Sequence, residues 1–423
     1  MKIKLVTFAP HPNFGTCLQS YALNYVLRQM GYDVEFIYNR REVPPLTWTR
    51  CLYLMMTRLL RLILPNKLIN KLKKRLRPQP ATPSQNQAPV VLEFPSHPIL
   101  RCFSKMPGYM FFVKKWYYGN LQKRKVYKFT FDDGNFKMRR LYTTKDYVDV
   151  TKDADMFITG SDQIWNPFCG GYNPMMFLEF VNDGTKCISY SSSISQPSIH
   201  PLVEQRMKKA LSKFKHIAVR EQRSVDLLNA MLGRNDVKLV VDPTYLLSAD
   251  EWKEFGDKAK IEFKVPEKYI FCYFVGSKRT DAYERMVQDI KAFTDIDQVI
   301  TLDCNNSDLV YGGGFTYHDA GPYEWVYLLR HASYVCMDSF HATVFALKFQ
   351  KEFVHTMKNS DSESGSQNTR MYDILSRYGI LYKNYNDDGG KEWQKPIDYQ
   401  KLTPIIENEI RDSMEFLKFE VEK

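Results

Sequence analysis

The sequence predicts an α/β fold built from two doubly wound, Rossmann-like domains that face each other across a cleft. Three observations carry this expectation. Short apolar runs alternate with longer stretches of helical spacing along most of the chain, the pattern of βαβ units and parallel sheets. With 423 residues the chain exceeds one ordinary core, so two domains are the natural division. Two strand-like runs, at 156–159 and 332–336, each end in a polar elbow of small and acidic residues, where open α/β sheets place ligands.

Taken in order, Ile3 to Ala9 reads as a first strand, 10–16 as a turn, Cys17 to Met30 as a helix closed by Gly31, and Val34 to Tyr38 as a second strand. Residues 46–80 form a basic insertion. From Arg50 to Arg77 there are nine Lys/Arg and no Asp/Glu, which accounts for most of the net charge of +11. Leu52, Met55, Met56, Leu59, Leu60, Leu62 and Ile63 fall largely on one helical face, the pattern of a helix lying on an anionic membrane surface. An insertion helix packed on the protein with solvated cations fits the same pattern. Pro78 to Pro89 reads as a loop, and 109–118 as a helix.

Met156 to Thr159 is a strand leading into the Gly160–Asn166 elbow, and 177–180 and 186–191 are expected to be further strands. A helix at 203–214 is expected to cross between domains. The second domain then draws its strands from 216–219, 237–241, 269–274, 298–301, 334–336 and 352–354. Helices are expected at 221–231, 282–293, 323–330, 371–378 and 405–419. The divisions are therefore 1–200, 201–385 and a helical tail at 386–423.

Eight scattered cysteines make no metal-type cluster and read as free thiols in a reducing compartment. The N-terminus is too short and polar for a signal peptide, and no apolar run is long enough to span a membrane. A cytoplasmic protein is expected, peripheral on the inner membrane face. No recognised nucleic-acid motif appears. His341 stands at a strand-to-helix junction, with Asp338 or Ser339 as helix cap. An ordinary surface histidine fits the same spacing. Gly312-Gly313-Gly314 lacks a phosphate-loop context and reads as a turn.

Several segments together resemble the polysaccharide pyruvyl transferase family. They are Asn13-Phe-Gly-Thr-Cys-Leu-Gln19, Gly160-Ser-Asp-Gln-Ile-Trp-Asn166, Ser189-Tyr-Ser-Ser-Ser193, Val219-Arg-Glu221, Val241-Asp-Pro-Thr244 and Asp338-Ser-Phe-His-Ala-Thr343. The resemblance implies a GT-B-like fold and transfer of the pyruvyl unit of phosphoenolpyruvate, as a ketal, onto a sugar of a surface polysaccharide or its lipid-linked precursor. It requires no metal or redox cofactor. It implies His341 as the acid that protonates the donor methylene, and Arg220, Arg370, Ser339 and Asp338 as donor-side residues. Several family members have arginine where Ser339 stands, and Arg370 is the expected substitute. Asp162 is the expected base, with Asn13, Gln19, Gln163, Trp165 and Asn166 on the acceptor side and Trp165 stacking on the sugar. Asp242 reads as a helix cap in a turn lining the cleft. A GT-B glycosyltransferase using a nucleotide sugar, or a non-catalytic envelope-assembly protein, remains open on these residues.

Overall fold

A computed structural model of the chain describes residues 1–8, 13–39, 125–169, 171–276, 280–303, 310–359, 366–385 and 389–422. The basic insertion, the loop after it and the helix expected at 109–118 lie outside the described residues. The chain divides into one unit of Met1–Tyr38 with Glu93–Lys423 and another of Asn39–Leu92, and both sheets belong to the first.

The first sheet has the order β3-β2-β1-β4-β5-β6-β7 and every pairing in it is parallel. Its strands are β1 (Lys2–Val6), β2 (Asp33–Tyr38), β3 (Met138–Arg140), β4 (Met156–Thr159), β5 (Cys187–Ser192), β6 (His216–Val219) and β7 (Lys238–Leu239). Helices α1 (Phe14–Gln29), α2 (Thr144–Asp153), α3 (Pro201–Leu211) and α4 (Gln222–Leu232) connect them. Helix α1 ends where expected: Gly31 takes φ 87, which a Cβ would disfavour.

The second sheet has the order β10-β9-β8-β11-β12, again all parallel. It comprises β8 (Ile270–Phe274), β9 (Val299–Asp303), β10 (Phe315–Thr316), β11 (Tyr334–Met337) and β12 (Phe353–His355). Around it run α5 (Ala249–Gly256), α6 (Thr280–Thr294), α7 (Pro322–His331), α8 (Phe340–Lys348) and α9 (Thr369–Arg377), and α10 (Tyr399–Glu422) follows. Each sheet places its first strand beside the strand that reverses the order, β1 by β4 and β8 by β11. The doubly wound class expected from the sequence is the class observed.

Three expectations are corrected. Strands β6 and β7 join the first sheet, so the division at 200 falls inside that sheet, and α3 connects two of its strands rather than crossing between domains. Strand-helix alternation looks the same on both sides of a domain border, so periodicity alone misplaces it. Residues 177–180 form turns, not a strand: Phe177 and Leu178 are core residues, but Leu178 takes φ 51, which no strand accommodates. The C-terminal helix is no detached tail. Ser413 Oγ of α10 accepts from the Val241 amide at 2.9 Å, and Glu420 Oε2 lies 2.7 Å from His216 Nε2.

The joint between the sheets is aromatic. Phe14, at the start of α1, packs against Tyr273 of β8 and Trp325 of α7, and Tyr21 packs against Trp252 and Phe255. Burying each such ring stabilises by about 1.5–3 kcal/mol. At the centre of β1, Lys4 is 2 % exposed, which a strand buried on both faces tolerates only with partners. Its Nζ donates to Glu35 at 2.6 Å and Asp153 at 2.8 Å. Lys4→Met should lower stability by about 3 kcal/mol in urea titration, and adding Glu35→Met should recover part of that loss. A purely additive double variant would show that the pair is not coupled.

Candidate active site

The strand ends of both sheets converge on one group of buried charges. Arg220 follows β6 and is 1 % exposed. A guanidinium taken out of water needs anionic partners, and three carboxylates supply them. Nη1 donates to Asp242 Oδ2 at 2.7 Å, Nη2 to Asp162 Oδ1 at 3.1 Å, and Nε to Glu221 Oε1 at 3.4 Å. Its carbon also lies 4.3 Å from the centre of the Phe340 ring.

Asp162 follows β4 at φ 72, a left-handed conformation that aspartate tolerates better than most residues. Ser191 near the end of β5 and Ser195 on the loop after it also have positive φ, so three non-glycine residues with this strain lie at two adjacent strand ends. Thr16 Oγ1 donates to Asp162 Oδ2 at 2.6 Å. Burial alone would raise the Asp162 pKa, but Arg220, His341 and Thr16 outweigh it and hold the carboxyl well below its usual range. Both of its oxygens are held, Oδ1 by Arg220 and Oδ2 by Thr16.

Asp242 is the cap that the sequence predicts: its Oδ1 accepts from the Thr244 amide and hydroxyl at 3.1 and 2.7 Å. Its other oxygen also meets Ser161 Oγ at 3.3 Å and faces His341 Nε2 at 3.5 Å, which the capping signal did not reveal. Burial would raise the Asp242 pKa too, but His341 and Arg220 hold it low. The 3.5 Å separation is too long for a good hydrogen bond, so His341 Nε2 is buried without a hydrogen-bond partner among the described residues.

His341 lies in the first turn of α8, whose N-cap is Ser339: its Oγ accepts from the Ala342 amide at 3.4 Å. The start of α1, capped by Asn13, meets the ring from the other sheet. A Cβ on Gly15 would lie 2.3 Å from His341 Nδ1, so only glycine permits this approach. Two helix N-termini thus meet at His341, and both favour negative charge there.

The other expected residues divide into two groups. Arg370 reaches the site: its carbon is 5.7 Å from the Phe340 ring centre, and Nη2 donates to Gln367 Oε1 at 3.4 Å. The Gln163 amide fits with its oxygen 2.6 Å from Arg370 Nη1. Burial, then repulsion from Arg220, lowers the Arg370 pKa. Lys358, just past β12, donates to the same Gln367 oxygen at 3.0 Å. The sequence reading missed Lys358 and Gln367, although their place beyond the carboxyl end of a parallel strand is a usable signal.

The remaining residues hold the framework. Asp338 accepts from the Val275 and Gly276 amides at 2.6 and 2.7 Å and from the Tyr283 hydroxyl at 2.8 Å, tying β11 to β8. Gln19 is fully buried, with Nε2 donating to Thr7 and the Thr16 carbonyl and Oε1 accepting from the Ser161 amide. Trp165 is 1 % exposed, stacked on Phe177 and bonded to the Met176 carbonyl, so no ring face is open to a sugar. Asn166 is equally buried and accepts from the Phe168 amide at 2.9 Å, within its own turn.

The family model described as polysaccharide pyruvyl transferase matches residues 13–359, which contain all of these strand-end residues except Gln367 and Arg370. The chain belongs to the polysaccharide pyruvyl transferase family. No curated protein matches it. Among solved structures, UDP-GlcNAc 2-epimerase from Methanocaldococcus jannaschii is similar at 8% identity and TM-score 0.41, covering 96% of this chain and 100% of that one. The UDP complex of S. aureus MnaA matches at 9% and 0.44, covering 98% and 90%. The glycosyltransferase SnogD from Streptomyces nogalater matches at 10% and 0.39, covering 100% and 95%. Likeness at this level says nothing of this chain's substrate.

For a pyruvyl transferase of this geometry, Gly15→Ala should cut turnover about 10²-fold, because displacing a reacting group by about 1 Å has that effect. Circular dichroism should remain native. Unchanged turnover would remove Gly15 as a positioning residue for His341.

Proposed function

We propose that the protein transfers the pyruvyl group of phosphoenolpyruvate, as a ketal, onto two hydroxyls of a sugar in a surface polysaccharide or its lipid-linked precursor. The observation that carries this reading is His341 Nε2, buried without a hydrogen-bond partner among the described residues where two helix N-termini meet, next in sequence to Phe340, whose ring faces Arg370. A small trianionic donor suits that surrounding field.

Donor-side roles follow from what each cation already holds. Arg220 meets three carboxylates, which an incoming phosphate does not displace at a gain. Arg370 meets amide oxygens of Gln163 and Gln367, and Lys358 shares the latter. An anion replacing a neutral amide oxygen between two cations also relieves their repulsion. Arg370 and Lys358 therefore take the donor's phosphate and carboxylate, supplying the charge that Ser339 lacks, while Arg220 keeps Asp162 and Asp242 anionic.

His341 gives a proton to the donor methylene, making it a methyl group. The neighbouring carbon takes the oxygen of the first sugar hydroxyl, whose proton returns to the imidazole. Phosphate then leaves, and the second hydroxyl closes the ketal and releases its proton. His341→Gln should lower turnover by roughly 10²–10⁴-fold with donor affinity much less affected. Arg370→Lys should weaken donor binding, because lysine lacks the fork. Calorimetry with phosphoenolpyruvate and deuterium incorporation into the product methyl group check both. Near-normal turnover of His341→Gln, or no solvent deuterium in the methyl, overturns the mechanism. Thermal protection by UDP and not by phosphoenolpyruvate would favour nucleotide-sugar chemistry instead.

A lipid-linked acceptor would bring the enzyme to a membrane. Among the described residues no helix is long and apolar enough to cross one. The nine Lys/Arg of residues 50–77 supply a surface attachment, each worth about 1 kcal/mol near anionic lipid. Vesicle sedimentation should require anionic lipid and weaken with salt. Equal binding to neutral vesicles would refute the electrostatic attachment.

A further inference from the structure

A saccharide is recognised by a flat apolar surface for its C–H face together with amides or charges for its hydroxyls. The ring that the sequence offers for this, Trp165, is closed inside the core. We propose that Phe168, three residues on, is the ring on which the acceptor sugar stacks. The inference rests on the reading of this site as one that accepts a saccharide.

Phe168 is 54 % exposed, whereas Trp165 and Asn166 in the same turn are each 1 % exposed. Isolated exposed apolar residues are common and need no explanation by themselves. The turn that holds this one gives it meaning. Asn166 Oδ1 accepts from the Phe168 amide at 2.9 Å, and the Asn166 carbonyl accepts from the Cys169 amide at 3.0 Å. The backbone under the ring is thereby fixed on both sides, so an exposed phenyl is presented from a rigid base.

That base is also tied across the cleft. Cys169 Sγ accepts from Gln367 Nε2 at 3.3 Å, and Gln367 Oε1 accepts from Lys358 and Arg370. The Phe168 Cα is one peptide, about 3.8 Å, from the Cα of a residue touching that cationic group. Gln163, five residues before Phe168, contributes its amide to the same place. An apolar ring thus stands next in sequence to a residue that touches the group of two carboxamides and donor-side cations. This is the composition an acceptor hydroxyl next to an anionic donor requires. Phenylalanine has no hydroxyl of its own, so its contribution is contact with the sugar's C–H face, and the amides select the hydroxyls.

The test uses the full-length protein and methyl glycosides of galactose, glucose, mannose and N-acetylglucosamine as probes, read by saturation-transfer NMR. At least one glycoside should receive saturation at its ring C–H protons in the native protein. Phe168→Ala should weaken that binding about threefold to tenfold, the range for an aromatic contact, and Phe168→Trp should retain it. Because the side chain is exposed, both variants should keep the native melting temperature. Thermal protection by phosphoenolpyruvate, measured on the same samples, should persist in Phe168→Ala. Loss of that protection in the native protein would count against the donor assignment and leave the sugar result to decide this inference. Native-like glycoside binding by Phe168→Ala, or no glycoside bound by the native protein, would overturn it.

Discussion

Burying the guanidinium of Arg220 constrains nearly everything around it. A permanent charge at 1 % exposure persists only if carboxylates surround it. They come from the ends of three different strands: Asp162 after β4, Glu221 after β6 and Asp242 just beyond β7. Those strand ends lie on one edge of the sheet because every pairing in it is parallel, so the ion cluster depends on the topology and also reinforces it. Asp242 then carries the constraint to the other sheet. Its oxygen faces His341 at 3.5 Å, so a carboxylate that the first sheet holds in place lies against the histidine of α8.

The surrounding charges differ in what they have left to offer. Carboxylates saturate Arg220, and Asp338 is saturated by two amides and a tyrosine hydroxyl. Both are framework, although both sit in segments that resemble functional motifs. Arg370 is different, because amide oxygens meet it. An amide oxygen stabilises a buried cation less than a carboxylate does, and Arg220 nearby lowers the Arg370 pKa further. Arg370 thus differs from its neighbour Arg220, which carboxylates saturate.

The fold was largely legible because parallel strands buried on both faces leave short apolar runs, as in β4 and β8, where every residue is buried. The domain border was not legible, since nothing in the spacing of β6 and β7 says which sheet they join. In the site, His341, Arg220, Asp162 and Gln163 were found because they stand at strand-to-helix elbows. What each does there depends on neighbours remote in sequence. Asp162 and Arg220 are 58 positions apart, and Gln163 and Gln367 are 204 apart. Trp165 shows the same limit: its type suits a sugar, but Phe177 and the Met176 carbonyl claim both its face and its N–H. Asp242 is the converse, a correct cap whose second oxygen was invisible to a local rule.

The two edges of the inter-sheet joint differ in strength. On one edge, Phe14, Tyr273, Trp325, Tyr21, Trp252 and Phe255 make an aromatic contact whose burial is worth several kcal/mol in total. On the other, Gln367 donates to Cys169 Sγ at 3.3 Å, and Gln196 donates to the Ser366 carbonyl at 3.3 Å. Such amide contacts contribute about 0.5–1.5 kcal/mol each, and water replaces them readily. His341, Asp162 and Asp242 are each at most 5 % exposed, so a substrate reaches them only by parting some of these contacts. The amide edge parts at far lower cost than the aromatic one. Gly15 adjoins Phe14 in sequence, so the first turn of α1, which touches His341, is anchored to the aromatic edge. The placement of the histidine thus rests on the aromatic side of the joint, while Arg370 and Lys358 stand on the polar side, where amides meet them.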